Sequence, residues 1–150
     1  MDKIMDFFFN PYLATALSCW FIAQLIKIIT NLFIHKKIVW ERLFGDGGMP
    51  SGHSATVSSL ATIIGLSEGF TSPLFAIAAV FAVVVCHDAM GVRQETGKQA
   101  IMLNEIARIL DADTLPEVKL KELVGHTPLQ VIAGIILGVS GALCVHFFIL

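Results

Sequence analysis

Charge is scarce in this chain. Asp, Glu, Lys and Arg make up 15% of its 150 residues, where soluble domains carry roughly 25%. Apolar residues fill 55% of it and the mean hydropathy is +0.77. Such a composition excludes an ordinary water-facing surface and points to an integral membrane protein. A basic excess is also missing: the net charge of -2 gives nucleic acid no footing. Cysteine is sparse, and Cys19, Cys86 and Cys144 lie in apolar segments without metal-ligand spacing. They read as small packing residues. A carboxylate cluster and a His-x-x-x-His pair are both lacking, so neither a metal nor any other cofactor is expected. No repeat, low-complexity stretch or long linker divides the chain, and a single domain, 1–150, is expected.

What is present is apolar length. Four segments, about 11–34, 54–70, 74–90 and 128–150, approach or exceed the span of a ~30 Å hydrocarbon core at ~1.5 Å per residue. The first apolar run continues past any small-residue cleavage site, so an uncleaved anchor is expected rather than a signal peptide. Ser67-Glu68-Gly69-Phe70-Thr71-Ser72-Pro73 reads as a tight turn joining the second and third segments. Eight of the ten Lys and Arg fall between segments one and two or between three and four. The positive-inside rule then places both loops in the cytoplasm of a multi-pass plasma-membrane protein, with the termini and Glu68 outside. In the third loop, Met102, Leu103, Ile106, Ile109 and Leu110 recur at helical spacing opposite Asn104, Glu105 and Arg108. This predicts an amphipathic helix at the membrane surface or over the bundle mouth. Thr114-Leu115-Pro116-Glu117 fits a capping box for a second short helix, to about Val124, which Gly125 ends, and Thr127-Pro128-Leu129-Gln130 fits another that opens segment four. The expected fold is an all-α, membrane four-helix bundle with an amphipathic helix in its third, cytoplasmic loop.

That topology gathers the chemistry-bearing residues at one face. Met49-Pro50-Ser51-Gly52-His53-Ser54 follows a glycine-rich loop and opens segment two. A helix start of this kind attracts an anion through its amides and dipole, and a histidine there exchanges protons near neutral pH. The bland alternative is a capped helix whose histidine bonds only locally. His126 stands before segment four, and segment three ends at the same face with His87-Asp88-Ala89-Met90-Gly91-Val92-Arg93, followed by Lys98. Two histidines, two helix starts, Arg93 and Lys98 make a phosphate site. Lys27 and Asp88 lie inside apolar segments, where charges are paired or functional. A structural Lys27–Asp88 pair and a role in the site both fit. Gln24 shares the face of Lys27 one turn earlier. Gly134 and Gly138 form a Gly-x-x-x-Gly face that packs within the chain or across a homodimer.

At these residues the chain resembles a known group. Pro50-Ser51-Gly52-His53, with Asp88-Ala89-Met90-Gly91-Val92-Arg93, Gly97-Lys98-Gln99-Ala100 and Gly125-His126-Thr127-Pro128-Leu129, is similar to the small, divergent branch of the type 2 phosphatidic acid phosphatase and vanadium haloperoxidase superfamily. The resemblance runs from about Gln24 to Gly138. It implies a phosphatase that needs no metal, with His126 as nucleophile and His53 as general acid. It further implies that Ser51, Gly52, Arg93 and Lys98 hold phosphate oxygens. Where the superfamily has an Asp four residues after the nucleophilic His, this chain has Gln130. Asp88 is therefore the carboxylate expected to support His126, or else to pair with Lys27.

The expected activity is hydrolysis of a lipid phosphate monoester at headgroup level, through a phosphohistidine intermediate. The alternative is a protein that binds a lipid phosphate, or serves a transporter as accessory, without turnover. The neutral Gln130 favours that alternative.

Overall fold

The computed structural model describes residues 10–35, 48–109, 120 and 125–150. Its described residues form five helices and no strand: α1 (Pro11–His35), α2 (Gly52–Glu68), α3 (Pro73–Met90), α4 (Val92–Ile109) and α5 (Pro128–Phe148). Three helical stretches among them are long and apolar enough to cross a membrane: Pro11–Phe33, the α3–α4 run Pro73–Ile109, and Pro128–Phe148.

Helix α2 differs in kind. It has 17 residues, about 26 Å of helix, and packs against α5, α1 and α3. Gly52, Ser54, Ala55, Val57, Ser58, Ser59, Ala61, Ile63 and Gly65 are all buried. Small side chains let three neighbours close around it. Its hydroxyls bond back along the helix: Thr56 to Gly52 O at 2.8 Å, Ser58 to Ser54 O at 2.6 Å, and Thr62 to Ser58 O at 2.7 Å. A polar helix is thereby satisfied within an apolar shell.

The glycine face of α5 is used inside the chain. A Cβ on Gly134 would strike Ser51 O, and one on Gly138 would strike Ala55 O and the Ser58 hydroxyl. Backbone therefore meets backbone along the α2–α5 contact, which sets the starts of these two helices side by side.

At the opposite end, Tyr12 Oη donates to Glu68 Oε1 and joins the start of α1 to the end of α2. The α2–α3 turn has Gly69 at φ +88°, and Ser72 caps α3 by accepting from Phe75 N–H at 3.1 Å.

The amphipathic helix begins ten residues earlier than the Met102–Leu110 periodicity predicts. Only Gly91 separates α3 from α4, so Val92–Ala100, expected as loop, is helical. No proline interrupts this stretch, and Gly91 links the two helices by donating to His87 O and accepting from Glu95 N–H. Gly97 and Ala100 are the buried positions of α4, whereas Ile101, Met102, Leu103, Ile106 and Ile109 are exposed. The second short helix expected from Thr114 to about Val124 falls outside the described residues apart from Leu120. That residue is clasped by Asn104, which donates to Leu120 O at 2.9 Å and accepts from its N–H at 3.0 Å.

Candidate functional site

The site is assembled from three helix starts and one helix end. Ser51 caps α2: its hydroxyl accepts from Ser54 N–H at 3.3 Å and from the Ser54 hydroxyl at 3.0 Å. Ser51 N–H donates to Gln130 O at 2.9 Å, tying the start of α2 to the first turn of α5. Intrahelical bonding in α2 begins with Ala55 N–H to Ser51 O. The earlier amides, Gly52 and His53, lie in the turn that a helix leaves unsatisfied internally.

Thr127 caps α5, with Pro128 as its first helical residue. The capping box is complete: Gln130 N–H donates to Thr127 Oγ1 at 3.4 Å and Gln130 Oε1 accepts from Thr127 N–H at 3.1 Å. His126 precedes the cap and is 1% exposed. Its N–H donates to Ala89 O at 2.9 Å, anchoring it to the end of α3. Gly125 makes that anchorage feasible. It has φ +94°, and a Cβ there would lie 2.5 Å from Gln94 N and 2.8 Å from the Arg93 carbonyl carbon. Glycine alone combines this backbone conformation with this approach.

The two imidazoles meet. His53 and His126 have ring centroids 6.0 Å apart, edge to face at 65°. His126 Nδ1 lies 3.2 Å from Gln130 Oε1. Because Thr127 N–H donates to that same oxygen, the amide orientation is fixed, and His126 must carry its proton on Nδ1 to bond it. The lone pair is then on Nε2, as a nucleophile requires. Arg93 reaches His53 from α4, with Nη1 3.5 Å from His53 Nε2, the outer limit of a hydrogen bond.

Asp88 stands elsewhere than expected. Its Oδ2 accepts from Arg93 Nε at 2.9 Å. Neither His126 nor Lys27 is its partner, and at 41% side-chain exposure it is not a buried carboxylate. The reason is local: the break at Gly91 turns Arg93 back toward Asp88 five residues earlier. Gln130, at i+4 on the same helix start, faces His126 instead. The chain Asp88–Arg93–His53 thus supports one histidine, and Gln130 orients the other.

The remaining predicted residues are distributed as follows. Lys27 is 6% exposed, and its stem passes 3.8 Å from the position of a Gly48 Cβ, beneath the loop that leads into α2. Gly52 is buried against Trp20, whose Cδ1 would be 3.3 Å from a Cβ there. Ser51 is fully buried, with its hydroxyl committed to the cap. Lys98 points out from α4, with 63% of its side chain exposed, and pairs with Glu95 at 2.6 Å. No group of three or more potential metal ligands occurs among the described residues. Trp20 escapes a reading of motifs; Gly125 and Gln130 stand in the motifs, but the close approach of Gly125 to the Arg93–Gln94 backbone and the contact of Gln130 with His126 come only from the structure.

A family model described as "Divergent PAP2 family" matches residues 8–141 of the chain. A protein of Bacillus subtilis (strain 168), named "Uncharacterized membrane protein YuiD", is 35% identical over 156 residues, covering 96% of this chain and 99% of its own length. No solved structure matches the chain.

Proposed function

This chain belongs to the divergent PAP2 family, and from that membership we propose that it is a membrane phosphatase acting on a lipid phosphate monoester. The observation that carries the reading is the meeting of His53 and His126 at 6.0 Å, each at the start of its own helix. One imidazole is oriented by Gln130, and the other lies beside the guanidinium of Arg93.

In the proposed reaction, His126 Nε2 attacks phosphorus, forming a P–N bond as the P–O bond to the lipid alcohol breaks. Protonated His53 gives its proton to the departing oxygen, so a neutral alcohol leaves. Water then attacks the phosphohistidine, His53 takes a proton from it, and the P–N bond breaks to release inorganic phosphate. Arg93 and Lys27 supply positive charge toward the phosphoryl oxygens, and the first-turn amides of α2 add donors. Asp88 holds the Arg93 guanidinium in place by the bond at 2.9 Å. The bilayer and its lipid phosphates are the proposed partners, and the site faces the cytoplasm because Arg93, Lys98 and Arg108 lie with the basic loops.

Phosphate release from a panel of lipid phosphates by the purified protein tests the reading. Turnover is expected to persist in chelator and to be blocked by vanadate, which mimics pentacoordinate phosphorus. Complete loss in chelator, restored by magnesium, would overturn the histidine mechanism. One observation favours a second reading: a neutral amide, not a carboxylate, faces His126. A protein that binds lipid phosphate without turnover would bind the same panel tightly and release none.

A further inference from the structure

Trp20, Gln24 and Lys27 recur at i, i+4 and i+7 on α1 and so share one face. That face supports the start of α2. Trp20 Cδ1 and Gln24 Cδ lie 3.3 and 3.9 Å from the point a Gly52 Cβ would occupy, and the Lys27 stem lies 3.8 Å from that of Gly48. Gln24 is 6% exposed, and its Oε1 is buried without a hydrogen-bond partner among the described residues. A buried amide oxygen with no donor is costly. Packing alone does not call for it, since an apolar side chain of similar size would fill the space beside Trp20 at no such cost. A polar group kept under these conditions calls for a partner that the described residues do not supply. Which partner fits at this point is set by the neighbours: the first turn of α2 offers amides and a positive dipole end.

We infer that Gln24 is a phosphate-binding residue. A half-turn of its terminal amide puts the NH₂ where Oε1 now lies, and the NH₂ donates to a phosphoryl oxygen held at the first turn of α2. This inference rests on the phosphate site described above and deepens it. It adds a neutral donor on α1 to the cations on α1 and α4. The shared chemistry is a phosphoryl group, carried by a lipid headgroup or by free phosphate.

The test measures binding to the full chain in lipid nanodiscs. One arm titrates inorganic phosphate. The other compares nanodiscs containing phosphatidic acid with nanodiscs of phosphatidylcholine alone. Gln24→Leu is expected to weaken both inorganic phosphate and phosphatidic acid binding by about tenfold, one charge-assisted hydrogen bond, while the midpoint of thermal unfolding stays the same or rises. Gln24→Glu, which sets a carboxylate against the anion, is expected to lose more. Gln24→Met keeps the length of the side chain and gives the same readout should the leucine variant not fold. Unchanged affinity for inorganic phosphate in Gln24→Leu and Gln24→Met, beside a wild type that binds it, overturns the role of Gln24 and leaves the site standing. A loss confined to phosphatidic acid also overturns the phosphoryl contact. A wild type that binds neither probe overturns the inference and the phosphate site together.

Discussion

At the scale of the residue, the departure at Gln130 carries the most chemistry. Its Oε1 accepts from Thr127 N–H and faces His126 Nδ1 at 3.2 Å. An amide fixes the tautomer and the ring, but it does not stabilise the positive charge that an imidazole gains as it attacks phosphorus. Gln130→Glu keeps the size and the capping oxygen and adds a carboxylate at a helix start, where negative charge is favoured. Turnover of a lipid phosphate is expected to rise by about tenfold or more, measured as single-turnover phosphate release. Gln130→Leu removes both the cap and the orienting contact and is expected to lower turnover and stability together. No increase in Gln130→Glu would mean that charge on His126 does not limit the reaction. Asp88 belongs to a different pair. Asp88→Asn is expected to loosen Arg93 and weaken binding of the substrate phosphate, so KM rises more than kcat falls. A fall in kcat alone would instead place Asp88 in the transition state.

At the scale of the element, two glycines decide how the helix starts meet. Gly138 lies against Ala55 O and Ser58. Gly138→Leu is expected to cost about 1–3 kcal/mol or more, because the backbone of α2 has to shift. The measurement is thermal unfolding in detergent, and an unchanged midpoint would contradict the α2–α5 contact. Gly125→Ala strains a positive φ at a cost of roughly 1–3 kcal/mol and pushes the His126 loop off the Arg93–Gln94 backbone. Its activity is expected to fall further than its stability, since the loop carries His126 and not the core. The helices themselves are legible in the sequence: α1 runs Pro11–His35 where the apolar run predicts 11–34, and α5 starts at Pro128 inside its capping box. Side-by-side placement of His53 and His126 is legible too, because both precede helices that start at one face. What motifs do not carry is contact. The early start of α4 depends on Gly91 serving as a link rather than a stop, the Arg93 partnership of Asp88 depends on the turn made there, and Gly125 reads locally as a helix end. Each is settled by a neighbour distant in sequence or across a break.

At the scale of the whole molecule, three long apolar helical stretches among the described residues pack around a shorter, hydroxyl-rich helix. The paired histidines sit at one end of it and the Tyr12–Glu68 bond at the other. The proposed orientation puts the histidine end in the cytoplasm. In a background without the native cysteines, Lys98→Cys is expected to react with an impermeant maleimide only after the membrane is opened, and Glu68→Cys in intact cells. The opposite pattern would reverse the topology. The proposed mechanism requires a covalent bond between this bundle and phosphorus. The most direct measurement is denaturing capture of label after mixing with a phosphate-labelled lipid phosphomonoester, for the wild type, His53→Ala and His126→Ala. Acid-labile label is expected on the wild type, none on His126→Ala, and label that persists on His53→Ala, where the intermediate forms slowly and waits for a base to activate water. Label that survives in His126→Ala and disappears in His53→Ala would contradict the assignment of the nucleophile.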